Sequence, residues 1–277
     1  MKGFIIAAGQ GSRMGALIPD RPKCLLPIGD RTLLDHTVNN LRVANCSDVS
    51  VIVGYKAEAI NIPDVEYISN EDYESNNILH SFMKARDYVE GPLIATYSDI
   101  WVEPWIYKRL LEQSGDIVMA VDTDWEPYYQ GRTDHPVSEA ENVYFRTDGT
   151  VAMVGKHLSS VPPKGLTCGE FLGLWYMSQS GANSFRAEFD SLNQTLAHND
   201  PFQHAKNWTL AYITDMLQEL IDQGHTVRCA LIERGWAELD TTQDYNRLVD
   251  IAKRQRLTTL GKIHGVTKQD YSLEQFL

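Results

Sequence analysis

The sequence predicts an α/β fold with a mixed, mainly parallel central sheet flanked by helices, a Rossmann-like arrangement. In the first 121 residues, short apolar runs alternate with segments whose apolar residues recur at helical spacing. That alternation is typical of parallel strands joined by helical crossovers. The rhythm then changes to polar loops and a hairpin pattern with Asp148-Gly149 at its turn, which predicts a more antiparallel second half.

Strands and helices alternate through the first half, residues 1–121. Its predicted strands are Lys2–Ala8, Ser50–Gly54, Val65–Ser69, Pro92–Tyr97 and Asp116–Val121. Its predicted helices are Thr32–Ala44, Tyr73–Tyr88 and Val102–Gln113. The first strand is apolar at nearly every position, as expected of a strand buried on both faces. A long loop, Gly9–Asp30, follows it.

The second half, residues 122–256, begins with a loop rich in aromatic and charged residues, Asp122–His135. The elements predicted after it are the hairpin Glu141–Gly155, the strands Glu170–Met177 and Thr226–Ile232, and the helices Ser180–Leu192, Ala205–Gln223 and Gln243–Arg256. No repeat or linker separates the halves, so we predict one domain over residues 1–256 and a C-terminal tail, 257–277, of unassigned role.

Composition excludes several classes of protein. With 277 residues, 43% of them hydrophobic, the chain can bury a sizeable core. A net charge of -12 argues against general nucleic-acid binding, which requires basic surfaces. The four cysteines are scattered, as in a reduced cytoplasmic protein. No apolar run approaches the ~20 residues of a membrane span, and Phe4–Ala8 is too short for a signal peptide.

The chain is organised around IIAAGQGSRMG, residues 5–15, and the PKCLLP that follows at residues 22–27. A buried strand leads into a glycine loop, whose backbone can approach a ligand closely, and two cations follow. Arg13 can fork onto phosphate oxygens and Lys23 adds a point charge. The loop is neither a Walker A motif nor GxGxxG. It predicts a triphosphate site formed by the following residues: Ala7, Ala8, Gly9, Gly11, Ser12, Arg13 and Lys23.

The stretch AAGQGSRMG followed by PKCLLPIG resembles the signature of nucleotidyltransferases that couple a nucleoside triphosphate to a phosphorylated small molecule. This superfamily includes sugar-1-phosphate nucleotidyltransferases and bacterial phosphocholine cytidylyltransferases. The resemblance implies a glycosyltransferase-A-like fold, with a nucleotide-binding half (1–121) and an acceptor-binding half (122–256). It also implies that Arg13 and Lys23 hold the triphosphate and stabilise the leaving pyrophosphate as catalytic residues.

Relatives place nucleobase or ribose contacts where this chain has NNILHS, and we therefore expect Asn76, Asn77 and Ser81 to bind the nucleotide. Asn76 and Asn77 carry amide groups suited to a base edge. A helix N-cap is an equally good interpretation of the two asparagines. The preference for cytosine over uracil comes from the resemblance alone.

Two carboxylates are predicted to hold Mg²⁺. Asp99 ends an apolar strand in YSDIW, and Asp240 ends a strand-like segment in GWAELDT. Ligands gather at the carboxyl ends of strands in open α/β sheets, and Mg²⁺ prefers one or two carboxylates. Each aspartate alone is also a common turn or cap residue. The resemblance, which places one Asp after the middle strand and another in a late W-x-E-[IL]-D-T segment, favours the metal. Glu238 shares the face of Asp240 and is either a supporting group or a solvated charge.

The acceptor pocket is predicted from aromatic and charged residues. DWEPYYQGR, residues 124–132, combines three aromatic rings with acids and an arginine, which suits an ammonium group. Arg132 and Lys156 suit the acceptor phosphate, with Lys156 also catalytic. The full predicted set is Trp125, Tyr128, Tyr129, Arg132, Lys156, Glu170 and Trp175. Ordinary core aromatics and surface charge are the alternative for each of these residues.

The run W-x-x-Y-Y-x-G-R followed by P-x-S-E-A-E resembles the phosphocholine cytidylyltransferase branch rather than the sugar branch. The resemblance implies a Mg²⁺-dependent transfer of CMP from CTP to phosphocholine or an aminoalkylphosphonate, with release of pyrophosphate. A sugar-1-phosphate nucleotidyltransferase and an inactive nucleotide-binding module are the alternatives. The eight histidines show no metal-binding spacing, and we interpret them as structural or surface residues. The oligomeric state stays open, a homodimer being one alternative.

Overall fold

The computed structural model describes residues 1–17, 20–250 and 253. Its strands are β1 (Lys2–Ala7), β2 (Pro27–Ile28), β3 (Arg31–Thr32), β4 (Asp48–Val53), β5 (Glu66–Ser69), β6 (Leu93–Tyr97), β7 (Ile100–Val102), β8 (Ile117–Asp122), β9 (Glu141–Phe145), β10 (Val151–Lys156), β11 (Thr167–Met177), β12 (Val227–Ile232) and β13 (Trp236–Glu238). Its labelled α-helices are α1 (Leu33–Val43), α2 (Ile78–Phe82), α3 (Pro104–Leu111), α4 (Gln179–Thr195) and α5 (Ile213–Asp222).

Nine of these strands form one mixed sheet, which confirms the predicted fold class. Its order is β10-β9-β11-β6-β1-β4-β5, with β8 beside β11 and β12 beside β8. The β1, β4, β5 and β6 pairings are parallel, as is β8 with β12. β11 runs antiparallel to β6, β8 and β9, so it joins the parallel first half to the antiparallel second half within one sheet.

Apolar side chains cover both faces of the sheet, because its central strands are apolar at successive positions. Phe4 and Ile6 of β1 point into a core with α2, α4 and α5. Ile5 and Ala7 point into the opposite core, which α1 and α3 cover. Among the described residues, no helix combines the length and apolarity that crossing a bilayer requires.

Several predicted boundaries are corrected. The helix predicted over Tyr73–Tyr88 begins only at Ile78 and continues as a 3-10 helix, Met83–Tyr88. The helix predicted from Ala205 begins only at Ile213, and the residues between these two positions form loops and one 3-10 turn. Val102 lies in strand β7, and α3 begins at Pro104. Backbone N–H groups in the first turn of a helix have no partner within the helix, so proline is tolerated there.

The end of the chain completes the description. Residues 242–250 are helical, in agreement with the helix predicted from Gln243. Thr241 and Asp244 form its reciprocal N-terminal cap, since Asp244 N donates to Thr241 Oγ1 and Thr241 N donates to Asp244 Oδ2. The predicted end of this helix at Arg256 and the tail, 257–277, lie outside the described residues.

Candidate active site

A cleft of about 320 Å³ opens at the carboxyl ends of β1 and β6. Every residue predicted to bind the nucleotide lines it, as do both predicted metal ligands. The first group is Ala7, Ala8, Gly9, Gly11, Ser12, Arg13, Lys23, Asn76, Asn77 and Ser81. The topology explains this convergence, because parallel strands end on the same edge of the sheet.

The glycine loop leaves β1 and turns into a 3-10 helix, Ser12–Leu17. Gly11 has a φ of 61°, in the left-handed region that glycine adopts without a steric penalty. At Gly9, an added Cβ would meet nothing within 4 Å, so this glycine leaves open space rather than relieving a contact inside the protein. The loop therefore presents bare backbone along the cleft, as its sequence predicts.

Lys23 lies between the two predicted metal ligands. Its Nζ is 2.6 Å from Asp99 Oδ2 and 2.7 Å from Asp240 Oδ1. Burial lowers the pKa of Lys23, but the two carboxylates more than offset this and the pKa is raised overall. Burial by itself would raise the pKa of Asp240, yet Lys23, a hydrogen bond from His135 and Arg13 hold it well below the usual range. Both groups are therefore charged at neutral pH.

A small two-stranded sheet brings the two aspartates together. β7 pairs with β13 in antiparallel register, with Ile100 opposite Glu238. The ladder continues through Leu239 N, which donates to the carbonyl oxygen of Asp99 at 2.7 Å. The last backbone hydrogen bond of this sheet therefore lies beside both Asp99 and Asp240, which are 141 positions apart in the sequence.

His135 is a site residue that sequence analysis missed. Its Nδ1 lies 3.0 Å from Asp240 Oδ2 and 3.3 Å from Arg13 Nη1, while Arg13 Nη2 donates to the same Asp240 oxygen at 2.8 Å. The treatment of all histidines as structural or surface residues is thus wrong for His135, which is buried but lines the cleft. The sequence signal was its position at the end of the loop Asp122–His135, three residues after the run predicted to bind the acceptor.

Glu238 faces the cleft beside Asp240. His135, Glu238 and Asp240 each offer a ligand atom within 4.8 Å of the others. Burial and the neighbouring Asp240 raise the pKa of Glu238 well above its usual range, with Arg132 opposing the shift. Carboxylate oxygens are the donors that Mg²⁺ prefers, so the residues present fit a divalent ion.

The structure corrects the prediction that Arg132 contacts the acceptor. Its side chain is fully buried, with Nε 2.8 Å from Asp244 Oδ1 and Nη2 3.1 Å from Glu238 Oε2. Its guanidinium also lies 4.7 Å from the ring centroid of Tyr128. Arg132 therefore positions Glu238 and, through Asp244, the helix cap that follows Asp240.

The structure likewise corrects the prediction that three aromatic residues contact the acceptor. Trp125 and Tyr128 are buried in an apolar cluster with Met14 of the glycine loop and Leu248 of the C-terminal helix. Trp175, on β11, is fully buried in the core that also contains Phe4 and Ile6. None of the three is among the described residues that line the cleft. Their alternative interpretation as core residues is the one that the packing supports.

Of the residues predicted to bind the acceptor, Tyr129, Lys156 and Glu170 line the cleft. The Tyr129 hydroxyl donates to Glu170 Oε1, and burial raises the pKa of Glu170 to about 8 despite this bond. Lys156 Nζ lies 3.1 Å from Glu139 Oε2 and 5.1 Å from the ring centroid of Tyr212. Glu139, Glu141, Tyr97 and Tyr212 complete this end of the cleft, and sequence analysis assigned none of them a role.

The two asparagines predicted to bind the nucleotide form hydrogen bonds within the protein. Asn77 is the N-cap of α2, with its side-chain oxygen accepting from Ile78 N at 2.8 Å. Asn76 exchanges two hydrogen bonds with the buried Asn70, which also donates to Ser81 Oγ. The cap interpretation therefore holds for Asn77, and Asn70 is a positioning residue that sequence analysis missed.

Comparison with protein families gives a match to the model described as MobA-like NTP transferase domain, over residues 3–157. The chain is 25% identical to the CTP:phosphoglutamine cytidylyltransferase of Campylobacter jejuni, in an alignment that covers 88% of this chain and 97% of that protein. It is 30% identical to the CMP-5'-(3-aminopropyl)phosphonate synthase of Streptomyces rubellomurinus, over 40% of this chain and 19% of that synthase.

The fold also matches a solved structure. The CTP:phosphocholine cytidylyltransferase of Streptococcus pneumoniae superposes with a TM-score of 0.66, covering 90% of this chain and 98% of that protein. At 17% sequence identity, this likeness shows the shared fold.

Proposed function

The chain belongs to the MobA-like NTP transferase domain family and is a nucleotidyltransferase, and from this premise we propose that it transfers CMP from CTP to a small acceptor. The acceptor carries a phosphate or phosphonate and a nitrogen group, and pyrophosphate is released. Similarity over 97% of a cytidylyltransferase supports the choice of CTP. The observation that carries the proposal is Lys23, held between Asp99 and Asp240 beside the glycine loop.

The reaction is an in-line attack by an acceptor oxygen on the α-phosphorus of CTP. The bond from that phosphorus to the bridging oxygen of pyrophosphate breaks as the new bond forms. The attacking oxygen is already anionic, so no general base is required. Positioning and neutralisation of charge supply the rate.

The residues divide these tasks. The glycine loop offers backbone N–H groups, and Arg13 and Lys23 neutralise the phosphates of the leaving pyrophosphate. Lys156, at the other end of the cleft, orients the acceptor. Asp99 and Asp240 would hold Mg²⁺, which when bound supplies further neutralisation of phosphate charge.

Pyrophosphate release tests the proposal. Each nucleoside triphosphate is combined with phosphocholine, phosphoethanolamine, 2-aminoethylphosphonate, phosphoglutamine and hexose 1-phosphates. Release with CTP and a nitrogen-bearing acceptor is expected. Release with a hexose 1-phosphate alone would favour a sugar-1-phosphate nucleotidyltransferase, and no release with any pair would favour an inactive nucleotide-binding module.

A further inference from the structure

One end of the cleft holds polar atoms that the protein leaves unpaired. Oε2 of Glu141 and the hydroxyl of Tyr97 are buried and have no hydrogen-bond partner among the described residues. Both side chains line the cleft. Thr214 Oγ1, close to the Glu141 carboxyl, also has no hydrogen-bond partner in the part of the chain that the structure describes. Such unpaired atoms are costly in a folded protein, so a ligand that supplies hydrogen-bond donors would satisfy them.

The backbone places Glu141 beside the predicted acceptor lysine. Glu141 and Lys156 are directly opposite each other on the antiparallel strands β9 and β10, which puts their side chains on one face. Lys156 already has an ion-pair partner in Glu139, at 3.1 Å. Glu141 therefore has a carboxyl oxygen free for another cation.

Gly173 places the Tyr97 ring. It has a φ of 81°, and an added Cβ would lie 2.2 Å from Cδ2 of Tyr97. This glycine lies in the irregular part of β11, between Phe171 and Trp175. The backbone at Gly173 thus packs directly against the Tyr97 ring, which forms part of the cleft wall next to Ser98 and Asp99.

We propose that Glu141 and Tyr97 bind the ammonium group of the acceptor through its N–H donors, so that the acceptor is a primary amine rather than a quaternary one. This inference rests on the proposed transfer of CMP to a nitrogen-bearing acceptor. A trimethylammonium group has no N–H to donate and would leave Glu141 Oε2 and the Tyr97 hydroxyl without a hydrogen bond. A site built to accept hydrogen bonds from the N–H groups of a ligand discriminates strongly against an analogue without them.

Protonation supports the same assignment. Burial raises the pKa of Glu141 to about 7, with Lys156 opposing and Asp215 adding to the shift. A cation bound against this carboxyl would lower that pKa again and hold it ionised. The pocket that these residues form is therefore suited to bind an ammonium ion.

Binding, measured apart from turnover, tests the inference. The probes are 2-aminoethylphosphonate and its N,N,N-trimethyl analogue, titrated calorimetrically into the full chain. The wild type is expected to bind the primary amine at least ~10-fold more tightly. Glu141→Gln should lose about 10- to 100-fold of the affinity for the primary amine, the range for one hydrogen bond to a charged group, and less than about 3-fold for the analogue.

Tyr97→Phe provides a second variant. It removes an unpaired hydroxyl, so it should leave the thermal midpoint unchanged or raise it while weakening binding of the primary amine. Glu66→Gln and Tyr144→Phe are matched controls, because neither side chain lines the cleft, and they should bind both probes as the wild type does.

The outcomes separate the two proposals. Equal affinity for the probes, preference for the trimethyl analogue, no binding of either, or equal losses in Glu141→Gln would overturn the ammonium assignment. Selective binding without pyrophosphate release from CTP would keep this assignment and overturn the proposed reaction. Pyrophosphate release from CTP without selective binding would keep the proposed reaction and overturn the ammonium assignment.

Discussion

The ammonium of Lys23 lies 2.7 Å from Oδ1 of Asp240, across 217 positions of sequence. The same ammonium contacts Asp99, and Arg13 contacts the other oxygen of Asp240. The two residues hold each other charged, since the pKa of Asp240 is lowered and that of Lys23 is raised. The contribution of this ion pair to stability is present at neutral pH. It is lost as pH falls through the lowered folded-state pKa of Asp240.

Lys23→Ala should lower kcat for pyrophosphate release by at least ~10²-fold, the effect of removing one charge-stabilising group. The substitution also leaves Asp99 and Asp240 side by side without their shared cation. Lys108→Ala is the control, because Lys108 has a 78% exposed side chain. A kcat near that of the wild type in Lys23→Ala would contradict the role of Lys23 in catalysis.

Asp99→Asn should abolish activity that depends on Mg²⁺, because it removes the charge of a proposed metal ligand and keeps the shape of the side chain. We expect Mn²⁺, used as a binding probe, to bind the variant at least ~10-fold more weakly. Asp148→Asn is a matched control on an exposed hairpin turn. Activity at ordinary Mg²⁺ together with unchanged Mn²⁺ affinity would remove Asp99 from the metal site.

Arg132→Ala should destabilise the protein by about 3 to 5 kcal/mol, because Asp244 and Glu238 lose a buried partner. Urea unfolding measures the loss, and Arg146→Ala on the surface should change stability by no more than ~0.5 kcal/mol. The effect on kcat should exceed that on the acceptor KM, since Arg132 acts through Glu238. Wild-type stability with a raised acceptor KM would instead restore the direct acceptor contact.

Glu170→Gln should flatten the dependence of stability on pH. The folded protein holds a proton on Glu170 up to a pKa of about 8, whereas the unfolded carboxyl releases it near 4.5. The free energy of unfolding therefore falls as pH rises between these values, by up to ~1.4 kcal/mol per pH unit from this group.

Urea unfolding between pH 5 and 8 measures that slope in the wild type and in Glu170→Gln. Glu66→Gln controls for the loss of a carboxyl elsewhere, on the edge strand β5. Since other carboxyls titrate in the same window, the difference between the slopes is the test. Equal slopes would show that Glu170 is ionised in the folded protein.

Local patterns allowed the sequence to predict the glycine loop and the cations that line the cleft beside it. The apolar run of β1, the glycine loop and Pro22-Lys23 are contiguous, and their backbone requirements are encoded within a few residues. Asp99 was predictable in the same way, because it follows the end of an apolar strand. The resemblance to nucleotidyltransferases added Asp240, and the β7–β13 pairing places both aspartates at Lys23.

Packing decided which of the residues predicted to bind the acceptor line the cleft and which are buried in the core. Trp125 and Tyr128 are residue types that are common in ligand pockets, but both are buried against Met14 and Leu248. Burying a large aromatic side chain fully gives the protein the most stabilisation from it. Glu141 and Tyr97 face the cleft only because β9, β10 and the irregular part of β11 place them there. By itself the sequence determined the sheet and the phosphate loop through short-range patterns. The tertiary structure decided which distant charges are paired and which are left for a ligand, since that depends on contacts between residues far apart in the chain.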